Sequence, residues 1–348
     1  MQLWWFLNQA ASTIQLPGFS SNVSRPAFHL RILTFNIRYA TNSPFTNEKP
    51  WADRFPRVLN QIQHETRFLD GTSMSGSSPQ HSAASIICLQ EVLHNQLVDV
   101  LHSLNEVPSP NDKPTNGPIW AHVGVGRDDG GEKGEYGPIL YPVAGFNLLH
   151  TETVWLSPTP ERPSLGWDAG SIRLLTMAVL EHKPSGRRIL ASTTHLDNAG
   201  SKSREHSVTI IVESLKRVVK DWSTEDVLPV FLAGDFNSFP NQEAYLGMAA
   251  SNYVYDLRDS VPEKRRYGEE ITFTGFQKEK WSDEQGRIDF IWLGPRDAVC
   301  EHSHGGKEAV EGSCQWVVEG YTVLPNVFDD GVYLSDHRCV VGDVSLLS

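Results

Sequence analysis

The chain has 348 residues, a formal net charge of -12, 39% hydrophobic residues and 10% aromatic ones. That hydrophobic share supports a sizeable core and excludes global disorder. The acidic balance argues against a protein that grips long nucleic acid, which needs a basic face; the densest basic run, Glu263-Lys264-Arg265-Arg266, reads as a short solvated loop.

Residues 1–28 read as an N-terminal extension ahead of one domain spanning 29–348. The opening Met1-Gln2-Leu3-Trp4-Trp5-Phe6-Leu7 is apolar, but it lacks a basic leader and breaks at Asn8-Gln9, which makes a weak signal peptide. No run is long enough for a membrane span, so a soluble protein, cytoplasmic or secreted, is expected. Leu30 to Tyr39 alternates as a strand with Asn36 near its end. Trp51 to Arg57 leads into a helical pattern with Val58, Ile62 and Leu69 apolar, and Trp51 reads as a core aromatic. Residues 71–84, rich in Ser and Gly, read as a flexible insertion. Ser85 to Leu89 is a short buried strand that delivers Gln90 and Glu91, and Leu93, Leu97, Leu101 and Leu104 follow at helical spacing. Strand, acid, helix is the pattern of a βα unit.

Residues 107–118 form a Pro/Asn loop, and the glycines between His122 and Gly130 lack the strand-to-helix context of a dinucleotide fingerprint. Gly134-Glu135-Tyr136-Gly137 places Tyr136 at a strand entrance. Trp167, between Gly166 and Asp168, is read either as a core aromatic or as the wall of a substrate pocket, and Arg173 opens the next apolar run. Arg188 to Asn198 is a strand ending in His195 and Asp197; the helix after it turns Val208, Ile211, Val212, Leu215, Val218 and Val219 inward. Val227 to Phe231 begins the central strand, whose end, Gly234-Asp235-Phe236-Asn237, presents a carboxylate and a carboxamide on one side. Loop-rich residues follow. Asp289 then interrupts the apolar strand from Arg287 to Leu293, and Ser335-Asp336-His337-Arg338 opens the last strand. Cys88 and Cys339 lie in apolar runs and read as small buried residues. Cys300 and Cys314 flank a polar segment that a disulfide would close in an oxidising compartment, and they lack zinc-site spacing.

The strand-edge polar groups are Asn36, Glu91, His195, Asp235, Asn237, Asp289, Asp336 and His337. Carboxylates beside histidines, without paired cysteines, suit a hard cation such as Mg²⁺, with Mn²⁺ as the other candidate. Such a cation neutralises a phosphate while a carboxylate or histidine aims a water, and Asn237 and His195 donate to oxygens that gain charge. The chemistry is phosphoester hydrolysis.

In those motifs, Thr34-Phe35-Asn36, Gln90-Glu91, Thr194-His195-Leu196, Gly234-Asp235-Phe236-Asn237 and Ser335-Asp336-His337, the chain resembles the endonuclease/exonuclease/phosphatase superfamily, the fold of deoxyribonuclease I. The resemblance implies a four-layer α/β sandwich, two packed β-sheets flanked by helices. It also implies roles. Glu91 would be the principal metal ligand with Asn36 close by, and Asp336 would sit at or near a metal. Asp235 would activate the water, Asn237 would hold the phosphate, and His337, steered by Asp289, would contact the phosphate or shuttle a proton. His195 and Tyr136 would stabilise the transition state or leaving group. One departure is Arg38, where some nuclease branches carry an acid; it suggests a cation facing substrate phosphate. Asp289 is equally readable as a buried structural acid, while Arg173 and Asp197 are read as bracing the site, Arg173 also as facing substrate.

Three functions are weighed. The first is a metal-dependent phosphoesterase acting on a small, sugar or headgroup-like phosphate. The second is a nuclease or 3′-5′ exonuclease of the deadenylase-like branch, and the third a non-catalytic binding protein on the same scaffold. The charge balance favours the first, and the full set of polar residues argues against the third.

Overall fold

Strand β1 (Phe28–Asn36) shows how the layers arise. Phe28, Leu30 and Ile32 join one apolar cluster, whereas Leu33 and Phe35 join another on the opposite face. Successive side chains of a strand alternate between faces, so a strand apolar on both must be covered on both. The computed structural model describes residues 28–66, 82–106, 117–277, 285–296 and 315–347. Leu69, Cys300, Cys314 and the expected N-terminal extension up to residue 27 lie outside them.

Two sheets carry the molecule. The seven-stranded sheet runs β10 (Arg266–Gly268), β12 (Trp316–Val323), β13 (Val340–Leu346), β1, β2 (Ser82–Gln90), β4 (Ile139–Pro142) and β3 (Trp120–Val123). The six-stranded sheet runs β5 (Phe146–Trp155), β6 (Leu174–His182), β7 (Arg187–His195), β8 (Val230–Asp235), β11 (Asp289–Gly294) and β9 (Tyr255–Asp256). Helices α1 (Trp51–Thr66) and α2 (His94–Asn105) cover the outside of the first sheet through Val58, Ile62, Leu97, Val100 and Leu104. Helices α3 (Ser201–Trp222) and α4 (Glu243–Ala250) cover the second through Val208, Ile211, Leu215, Ala244 and Met248. The result is the expected four-layer sandwich. Trp51 is 8% exposed and donates its indole N–H to Asp99 at 2.7 Å, a core aromatic as expected. Cys88 and Cys339 are free thiols buried in the core.

Several element boundaries differ from the sequence reading. Strand β2 begins at Ser82, inside the stretch read as an insertion. The loop-rich region after the central strand holds α4, which escapes detection because only Ala244 and Met248 turn inward on its two turns. Asp289 opens β11 instead of interrupting it. Ser335, Asp336 and His337 precede β13, which starts at Val340. The basic run 263–266 is a 3₁₀ turn over Glu263–Arg265 leading into edge strand β10. No described helix is long and apolar enough to cross a membrane.

Gly234 is the tightest point of the second sheet. Its φ is +148°, and a Cβ there would lie 1.9 Å from the Thr194 carbonyl oxygen on β7. Gly234→Ala should therefore destabilise the protein by about 3 kcal/mol or more, since both the backbone conformation and the strand spacing must give way. Urea unfolding monitored by tryptophan fluorescence tests this; a shift below about 1 kcal/mol contradicts it.

Candidate active site

The site forms where the inward rows of the strands change from apolar to polar. On β8 the row Phe231, Ala233 ends in Asp235; on β7 the row Ile189, Ala191 ends in His195; on β11 the row Leu293, Ile291 ends in Asp289. Register aligns these ends, with His195 opposite Asp235 across the parallel β7–β8 pair and Asp289 opposite Asp235 across the antiparallel pair. In the first sheet the inward row of β1 ends in Asn36, whose register partner is Gln90. Gln90 ties the sheets together behind the site, its amide donating to Thr34 and Thr193 Oγ1, each at 3.1 Å. Asn36 then crosses the gap: Nδ2 donates to Asp235 Oδ2 at 3.0 Å and to Glu91 Oε1 at 3.1 Å.

Glu91 follows β2 with φ +57°. It accepts from the Tyr39 backbone N–H at 3.2 Å and faces Arg38 Nη1 at 3.5 Å. Arg38, itself at φ +57°, donates Nε to Glu48 Oε1 at 3.2 Å. Its guanidinium lies over the rings of Tyr39 and Phe45, 4.2 and 4.7 Å from their centroids. The cation is thus fixed at the cleft wall. Burial pushes the Glu91 carboxyl up, but Arg38 and the Asn36 amide outweigh it and hold the group below its ordinary value.

Asp235 is the hub. Its Oδ1 accepts the Asn237 backbone N–H at 2.8 Å, and its Oδ2 lies 3.4 Å from His195 Nε2 and 3.5 Å from His337 Nε2. Burial raises its carboxyl to about 7, against the pull of His337. His337 Nδ1 meets Asp289 Oδ2 at 2.9 Å. Burial opposes charge on that imidazole, yet Asp289 and Asp235 together hold it up at about 10, so it is an imidazolium at neutral pH. His195 is the reverse case: burial, then Arg173 and Arg127, keep it well below its ordinary value and neutral. Asn237, at φ +45°, bridges its Nδ2 to His195 Nε2 and to the Leu196 carbonyl, both at 3.0 Å. These groups face an open cleft of about 750 Å³.

The family model of endonuclease/exonuclease/phosphatase proteins matches residues 33–337, from just before Asn36 to His337. The chain belongs to that family. No curated protein sequence matches it. Among solved structures, an endonuclease/exonuclease/phosphatase from Bacteroides vulgatus is 28% identical with TM-score 0.70, over 91% of this chain and 99% of that one. A mannosyl-6-phosphatase of Bacteroides thetaiotaomicron is 26% identical with TM-score 0.69, over 92% and 100%. The human Nocturnin catalytic domain, at 17% identity and TM-score 0.58 over 91% and 94%, shares the fold.

The endonuclease/exonuclease/phosphatase scaffold brings together Asn36, Arg38, Glu91, Arg173, His195, Asp235, Asn237, Asp289, Asp336 and His337 around the cleft. It does not bring Trp167, which stacks on His206 of α3 at 4.2 Å, outside the cleft lining. The adjacent Asp168 explains this, since it accepts the Lys202 and Ser203 N–H groups and pins the loop to the start of α3. Tyr136 lines a small cavity beside the cleft with Arg127, Glu135 and His195, while its hydroxyl meets His94 Nδ1 at 3.1 Å and its ring joins the α1–α2 core layer. Its neighbour Glu135 faces the cleft instead, with Arg127. Sequence reading missed Glu48, Glu135 and Arg127. For Glu135 the signal was alternation, because a buried Tyr136 beside a glycine turn puts its neighbour on the opposite side.

Two places suit a cation. Asp235, Asp289 and His337 offer ligand atoms within 4.8 Å of one another. Asp289 and His337 already satisfy each other there, as an acid–imidazole pair does. Glu91 and Asp336 are the other: both are oxygen donors lining the cleft, and the Asp336 carboxyl is raised by burial and, against the pull of His337, by the negative charge of Glu91, a repulsion that a divalent cation relieves. Asn36 serves chiefly to hold Glu91 and Asp235 together, since its Oδ1 accepts the Arg38 N–H at 3.0 Å.

Proposed function

We propose that the chain hydrolyses phosphoesters of small, sugar or headgroup-like substrates, with Mg²⁺ or Mn²⁺ held by Glu91 and Asp336. The observation that carries this reading is the Asn36 bridge, which brings the Glu91 carboxylate of the first sheet against Asp235 of the second, beside the Asp289–His337 pair. The mannosyl-6-phosphatase likeness supports the substrate size. A bound cation supplies charge neutralisation on the phosphate and polarises the phosphorus.

The side chains supply the rest. Asp235 takes a proton from the attacking water as its oxygen bonds to phosphorus, and the ester P–O bond breaks. A carboxyl placed near neutrality is suited to that task. The His337 imidazolium, with Arg38 and the Asn237 amide, faces the non-bridging oxygens as negative charge gathers there. The alcohol leaves with a proton drawn from water in the open cleft.

Purified protein assayed with Mg²⁺ or Mn²⁺ on sugar phosphates, aryl phosphodiesters and oligonucleotides tests the reading. Turnover of oligonucleotides alone would overturn it in favour of the nuclease reading, and neither binding nor turnover with either metal would favour a binding protein. Glu91→Ala should raise the cation concentration for half-maximal activity about tenfold or more, which calorimetric titration of the cation checks directly.

A further inference from the structure

Beyond Asp235 the cleft has a second polar wall, and none of the steps above uses it. We infer that Arg127, Glu135 and Arg173 form a subsite that binds neighbouring hydroxyl groups of a sugar or similar polyol on the alcohol side of the ester. The inference rests on the hydrolase reading and names the part of the substrate that this wall selects.

The wall adjoins the reacting centre through one residue. His195 Nε2 lies 3.4 Å from Asp235, while its Nδ1 lies 3.8 Å from Glu135 Oε2. Asn237 donates to Nε2, so the neutral ring carries its proton on Nδ1, facing Glu135. Arg173 Nη1 stands 3.9 Å from the same Glu135 oxygen. Neither distance is a hydrogen bond. His195 Nδ1, Arg173 Nη1 and Arg127 Nε are all buried without a hydrogen-bond partner, and Arg173 is only 5% exposed. Buried donors of this kind are rarely left open, so an acceptor from outside is implied. A cavity of about 10 Å³ lies among Arg127, Glu135, Arg173 and His195, about the space of one water or one hydroxyl.

The chemistry of the wall selects among ligands. A hydroxyl accepts from an arginine or imidazole N–H and donates to Glu135, which a phosphate oxygen cannot do. The two guanidinium charges are already matched: Arg127 Nη1 donates to Glu135 at 2.7 Å, and Arg173 Nε faces Asp197 Oδ2 at 3.4 Å. Asp197 is locked in turn by the N–H groups of Gly170, Ser171, Ala199 and Gly200. No surplus positive charge remains for a second phosphate.

The test compares kcat/KM on a hexose 6-phosphate and on 4-nitrophenyl phosphate, with Mg²⁺ present, for wild type, Glu135→Gln and Glu135→Asp. Wild type should prefer the hexose ester. Glu135→Gln should lower that preference by about 10- to 100-fold, mostly through KM, with part of it restored in Glu135→Asp. Free hexose should inhibit wild-type turnover of the aryl ester competitively, and Glu135→Gln more weakly. Equal losses on both substrates at unchanged KM would overturn the subsite and leave the hydrolase reading standing. Turnover confined to oligonucleotides would overturn both the subsite and the reading it rests on. Wild-type protein inactive on every phosphoester would overturn both.

Discussion

Asp235→Asn is expected to lower kcat by about 10³- to 10⁴-fold while the protein stays folded. The carboxylate is 1% exposed, and burial has raised it to about 7. Its folded-state value therefore lies above the ordinary 3.8, so between those values the folded protein binds more protons than the unfolded chain. The stability contribution is full below pH about 4 and is lost as pH rises through about 7. Asparagine removes the buried charge and with it that slope, so the metal-free variant should match or exceed wild type in urea at pH 8. Chemistry falls because no group remains at the hub to take the water's proton. A variant with near-normal kcat would show that Asp235 only positions its neighbours. A variant that fails to fold would show that its bonds to Asn36 and Asn237 outweigh its charge.

Why Asp235 was legible in the sequence, and Glu135 was not, has one physical origin. Asp235 ends an unbroken apolar run, and Asn36 and His195 end strands whose buried positions carry mostly apolar residues, so pattern shows a strand delivering a polar group to its edge. The four layers were expected from the family resemblance, and the alternation of β1, the buried run of β8 and the helical spacing of α2 and α3 agree with it. Glu135 sits in a glycine-rich turn where only alternation with Tyr136 marks which way it points, and its meaning comes from Arg127, Arg173 and His195, far apart in the chain. Trp167 failed in the same manner: a tryptophan in a loop has no periodicity, and its stacking on His206 depends on α3 lying beneath it. Arg38 was recognised as a cation near phosphate, but Glu48, which orients it, came from an undistinguished loop. Where a strand-end side chain points was readable; what holds it there was not.

Asp289→Asn is the sharper probe of the second half of the site. His337 is 3% exposed, so His337→Ala, which removes the cation from a buried carboxylate, is expected to cost about 3–5 kcal/mol of stability along with activity. Asparagine at 289 keeps the shape and can still accept from the imidazole, but it withdraws the nearest negative charge. The His337 imidazole, at about 10 in the folded protein, should then titrate at a lower pH, as ¹⁵N NMR of the metal-free protein would show. Because the folded value exceeds the ordinary 6.5, the stability His337 contributes is full below that pH and lost as pH rises through about 10. In the variant the loss should set in at a lower pH. Activity should fall about 10²- to 10³-fold at pH 8 and recover in part towards pH 6, where a less basic imidazole is protonated again. An unchanged titration would mean that Asp235 alone holds the charge. A large loss of activity with no recovery at low pH would mean that the imidazolium is not the form the reaction uses.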